Sequence, residues 1–95
     1  MLLLPELIQK EDVSILSFPK DEVLFNRENV TARNIDLKYA MKLGNLDRYK
    51  VKITFQDDED IKRVETTVWA VTERMVVLKK GVFIPIHRVH EIKFL

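Results

Sequence analysis

The chain has no cysteine. Disulfide cross-links, thiolate metal sites and cysteine nucleophiles are excluded together, and the expected compartment is a reducing one, the cytoplasm. Glycine and proline are also scarce, with two and three residues. There is no glycine-rich phosphate loop and no dinucleotide fingerprint. A disordered or low-complexity chain is excluded as well, because 46% of the residues are hydrophobic against 33% charged. Long apolar runs are missing. Met1 to Leu4 is interrupted by Pro5 and Glu6 with no basic segment before it, too short for a signal peptide or a membrane span.

Charge of one sign is lacking too. The net value is +1 over 95 residues, so no global field of the kind that marks many nucleic-acid binders surrounds the chain. Its distribution is uneven. Up to Asp47 there are six basic and eight acidic residues, and from Arg48 onward ten and seven. The length is that of one domain.

What is present changes character near Gly44. Residues 1–33 read as an irregular leader: Pro5 to Asp12 is compatible with a short helix because proline is tolerated at a first helical position. Ser14 to Phe18 and Val23 to Phe25 are apolar pieces compatible with short strands. Residues 34–44 read as a helix, with Asn34 as N-cap, Asp36 favoured by the helix dipole and Gly44 as the stop. Leu37, Ala40 and Met41 form its apolar stripe.

From Arg48 the period becomes two. Tyr49, Val51, Ile53 and Phe55 alternate with Arg48, Lys50, Lys52 and Thr54, which predicts a half-buried strand with a basic outer face. The acidic run Asp57 to Asp60 predicts a turn, and Val64 to Thr72 a long β-branched strand. Met75 to Leu78 and Val82 to Ile86 are apolar on both faces and flank a Lys80-Gly81 hairpin turn. A 3₁₀ turn around His87 to Val89 then leads to a last strand containing Ile92 and Phe94.

Five short strands joined by hairpins, with a helix in front and one helical turn before the last strand, resemble the SH3-like or Sm-like small barrels. The most telling stretch is VVLKKGVFIPIHRVHEIKF. The resemblance implies a mainly β chain: a five-stranded, bent antiparallel barrel over residues 48–95, preceded by one α-helix. Two departures accompany it. The glycine-aspartate-rich RNA-binding features of Sm proteins are missing between Val51 and Asp60, and HRVHEI lacks their arginine-glycine pair.

Catalysis and cofactors are not expected. His87 and His90 are the only histidines, and with only Glu91 near them in sequence they fall short of the three or four ligands a metal needs. Asp57 to Asp60 lacks the alternating spacing of a calcium loop. Thr66 and Thr67 sit mid-strand, far in sequence from either histidine. Two binding readings remain. Arg48, Lys50 and Lys52, with Lys62 and Arg63 across a hairpin, form a candidate nucleic-acid contact. Alternatively, Trp69, Val76, Leu78 and Phe83 form a second apolar layer that one small barrel cannot enclose. Either the leader covers that layer, through Leu2 to Leu4, Leu7, Ile8, Ile15, Leu16 and Phe18, or a second copy does. The second reading makes the chain a non-catalytic, self-associating module with a protein partner, no small-molecule substrate and no membrane.

Overall fold

A side-chain carbonyl at Asn26 sets the first long element. In the computed structural model, which describes residues 5–95, Asn26 Oδ1 accepts from the backbone N–H groups of Glu28 (2.7 Å) and Asn29 (3.4 Å). Two of the free amides at a helix start are thereby satisfied. The helix this opens, α2 (Arg27–Asp47), is twice as long as the stretch read from the sequence. Asn34 lies inside it and is not its cap. Gly44 is not its stop either: the helix ends at Arg48, in the left-handed region at φ 54°, whose N–H reaches the Gly44 carbonyl. Gly44 instead faces the chain crossing below it. A Cβ there would stand 2.4 Å from the Val68 carbonyl oxygen and 2.9 Å from Thr67 Cγ2, so the residue is required by close packing.

The leader also departs from its reading. Glu6–Ile8 is a strand, β1, followed by a single helical turn, α1 (Lys10–Val13). β1 pairs in parallel with β3 (Ile61–Thr66). Helix propensity over Pro5 to Asp12 is overridden by an open strand edge that takes up three residues of backbone. Ser14 to Phe18 and Val23 to Phe25 are not strands.

The second half follows its period-two pattern. β2 (Val51–Gln56) buries Val51, Ile53 and Phe55 completely and leaves Lys52, Thr54 and Gln56 half-buried. It lies between β3 and β7 (Val89–Phe94), antiparallel to both, so the first sheet runs β1-β3-β2-β7. The long strand expected at Val64 to Thr72 is divided. β3 stops at Thr66, Thr67 turns the chain, and β4 (Val68–Val71) enters a second sheet, β4-β5-β6, with β5 (Met75–Leu78) and β6 (Val82–Pro85). Thr67 holds the bend at both ends: its hydroxyl donates to the Arg48 carbonyl and its own carbonyl accepts from Lys79 N–H.

The hairpin between β5 and β6 closes with three residues rather than two. Leu78 pairs with Val82, and Lys80 and Gly81 both adopt left-handed conformations. A 3₁₀ turn, Ile86–Arg88, precedes β7. Among the described residues the fold is a small mixed α/β one, with seven strands in two sheets and one long helix; it is less purely β than the pattern implied, and the strands do not close into a barrel.

Leu37 and Ala40 of α2 meet Ile53, Phe55, Val64, Val68, Val76, Leu78, Ile84, Val89 and Ile92 in one core. Phe18 of the leader packs its ring 6.0 Å from that of Phe55. Val13 is buried, so the leader does cover apolar surface. The expected contribution of Leu2 to Leu4 lies outside the described residues.

Candidate interaction surface

Cross-strand register decides which apolar residues of the second sheet see solvent. Val76 pairs with Ile84 and Val71, and Leu78 with Val82 and Val68. Val76, Leu78, Ile84 and Val68 are fully buried, so this set points into the core. Val76 and Leu78 therefore do not belong to an interface. Alternation puts Val77 and Phe83, which are directly opposite one another, on the outer face. Phe83 is 54% exposed.

Trp69 reaches that outer face through an irregularity. Register shifts between Val68 and Ala70, so Trp69 is an extra residue in β4. The bulge lets Val68 and Val71, of opposite parity, both face inward while Trp69 turns out, 49% exposed. Met75 is 37% exposed at the start of β5. Trp69, Ala70, Val77 and Phe83 thus cross all three strands as one apolar band with Met75 beside it. A simple period-two reading carries no signal for the bulge.

The polar groups near the leader have another task. Arg33 on α2 is buried and holds both carboxylate oxygens of Glu22, at 2.7 and 2.8 Å, while donating to the Val89 carbonyl. Burial works to raise the Glu22 carboxyl, but the Arg33 guanidinium and the Leu24 N–H outweigh it and hold it below its ordinary value. Arg88, buried in the 3₁₀ turn, donates to three backbone carbonyls, those of Gln56, Asp21 and Asp57. His87 Nε2 bonds to the Pro19 carbonyl, and Val23 N–H to the His87 carbonyl. These contacts fasten residues 19–23 to the strands. No buried side-chain polar atom among the described residues is left without a partner.

His87 and His90 do not converge. Both are partly buried, and His90 Nε2 meets Gln56 Oε1 at 2.9 Å, away from the His87–Pro19 contact. Burial, reinforced by the nearby Arg88 charge, lowers the His90 pKa. No group of three metal-capable side chains occurs among the described residues. Of the acidic run, Asp57 is buried and caps its own turn through the N–H groups of Glu59 and Asp60. Thr66 and Thr67 are buried.

The cationic set is dispersed. Lys62 Nζ lies 2.6 Å from both Asp57 and Asp60, Lys52 is 3.5 Å from Glu65, and Arg63 donates to the Pro5 carbonyl. Lys62 sits opposite Phe55 and Arg63 opposite Thr54, so the two point to different faces. Arg48 and Lys50 are exposed, with no carboxylate partner among the described residues.

A groove of about 980 Å³ runs between α2, the leader and the β4–β5 turn. Leu37, Val71, Met75 and Ile86 supply apolar lining, and Glu22, Arg33 and His87 are bonded within the chain as described. No helix among the described residues is long and apolar enough to cross a membrane. Comparison with protein-family models, with curated proteins and with solved structures finds no match.

Proposed function

We propose that this chain is a small, non-catalytic binding and assembly module that associates with a second copy of itself through the outer face of β4, β5 and β6. The observation that carries this reading is the band in which Trp69 and Phe83 are about half exposed around a partly buried Val77, on a sheet whose other side packs into the core through Val68, Val76, Leu78 and Ile84. Large aromatic side chains at the centre of an apolar patch are the residues that dominate binding energy at protein interfaces. Among the described residues the leader borders this band without covering it: α1 packs against β6, and Val13, Leu16 and Phe18 line a groove with Met75 and Phe83, yet Trp69 and Phe83 stay about half exposed.

The order of the elements supports placing the chain with the SH3-like or Sm-like small barrels. α2 precedes β2, β3 and β4 are one strand bent at Thr67, the β5–β6 hairpin follows, and a 3₁₀ turn leads into β7. Counting the bent pair as one strand recovers the five expected from the pattern. β1 is an addition at the edge.

Trp69 is the chain's only tryptophan, so its emission reports on this face alone. Self-association is expected to shift that emission to the blue as concentration rises, in step with a growing sedimentation coefficient. Phe83→Glu is expected to weaken association by about 30-fold or more, the loss of a central aromatic anchor of about 2 kcal/mol. A sedimentation coefficient and a Trp69 emission that both stay constant across the series would defeat the proposal.

A further inference from the structure

The helix α2 carries an apolar row that the described residues of its own fold leave largely exposed. Arg33, Leu37, Ala40 and Gly44 are buried against the strands. Roughly half a turn away, Ile35 is 61%, Tyr39 54% and Leu46 83% exposed. Together with Lys42, also exposed, these residues fall at i, i+4, i+7 and i+11. That is the alternating four-and-three spacing of a coiled-coil seam, with 35 and 42 at one of the two core positions and 39 and 46 at the other. Scattered exposed apolar residues need no explanation, whereas a row at heptad spacing along three turns does.

The row is complementary to itself when reversed. Laid antiparallel on a second α2, with Ile35 of one copy against Leu46 of the other, the same register places Tyr39 against Lys42. Both layers then occur twice about a two-fold axis. The outer layers are apolar on apolar. The inner layers set an ammonium group over an aromatic face, with the carboxylate of Asp36 one helical turn from Tyr39. A parallel pairing sets Lys42 against Lys42 at the seam and is disfavoured by like charge. The Tyr39 ring is steadied from its own chain by Phe94, 5.4 Å away, so part of its ordering precedes association.

We infer that α2 pairs antiparallel with α2 of a second copy through Ile35, Tyr39, Lys42 and Leu46. None of these residues belongs to the Trp69–Phe83 band, so the pairing stands independently of it.

A chain without native cysteine allows the register to be tested by single replacements. Ile35→Cys and Leu46→Cys proteins are prepared separately and oxidised alone and as a mixture. The expected result is a disulfide-linked dimer in the mixture at least about fivefold above either protein alone, because disulfides need close Cα approach. Equal yields in all three reactions, or more product from either protein alone, would overturn the antiparallel register. Sedimentation of Leu46→Glu supplies the second reading. Association through the helix should weaken by at least about tenfold, with the circular dichroism of the fold unchanged since Leu46 is mostly exposed. A Leu46→Glu protein that associates like the wild type, or absence of any cross-link, would refute the pairing. The same outcome with Trp69 emission still dependent on concentration would leave the sheet-face association standing.

Discussion

Gly44 shows how a single residue serves a purpose that its position along the chain does not announce. At the end of a run of helix formers it has the look of a C-terminal stop, yet three more residues of helix follow it. Its missing side chain lets α2 lie directly on the backbone at Val68. Alanine would add about 1 kcal/mol of helix propensity but drive a methyl group into a carbonyl oxygen that the β4–β5 pairing holds in place. Overpacking of this kind costs about 1–3 kcal/mol and here has little room to relax. Gly44→Ala is therefore expected to lower unfolding stability by about 1–2 kcal/mol, read as a reduced denaturant midpoint with unchanged slope. Trp69 is the complementary case. A bulge of one residue separates its face from that of Val71, with which strict alternation would group it, and no composition or propensity foretells it.

At the scale of elements, the leader is held less by regular structure than by two buried guanidinium groups. Arg33 reaches it through Glu22, and Arg88 through the Asp21 carbonyl. The first clamp depends on pH. Glu22 is depressed in the folded chain, so its contribution is fully present above the ordinary carboxylate range of about 4 and is lost as pH falls through the folded value. Amide exchange of residues 21–24 is expected to quicken below about pH 4 before the β2–β3–β7 sheet opens. Glu22→Gln should bring that faster exchange to neutral pH and remove its dependence on acid. Equal protection of leader and sheet at every pH would contradict this assignment. Arg88 carries no such dependence because its acceptors are all carbonyl oxygens.

For the whole molecule, two distinct apolar surfaces, one on a sheet and one on a helix, have consequences that neither has alone. Two different two-fold contacts on one chain generate either a closed tetramer or an open string of molecules. Wild-type protein at high concentration is expected to exceed the mass of a dimer. Phe83→Glu and Leu46→Glu should each reduce it to a dimer, and the double substitution to a monomer, in light scattering. A double variant that still associates would place the contact elsewhere on the surface.

Legible in the residues alone were the period-two strands from Val51 onward, the hairpin at Lys80 and Gly81, the 3₁₀ turn and the presence of apolar surface beyond one core. Each is written by neighbours within a few positions, where side-chain alternation and turn chemistry act. The extent of α2, the recruitment of β1, the break at Thr67 and the division of the apolar set into buried Val76 and Leu78 and exposed Trp69 and Phe83 were settled only in three dimensions. They depend on contacts between segments distant in sequence: Glu6 beside Lys62, Gly44 against Val68, Thr67 bonded to Arg48. Local propensity differs by only about 1 kcal/mol per residue. Burial of a large side chain contributes about 1.5–3 kcal/mol, so packing decides wherever the two disagree.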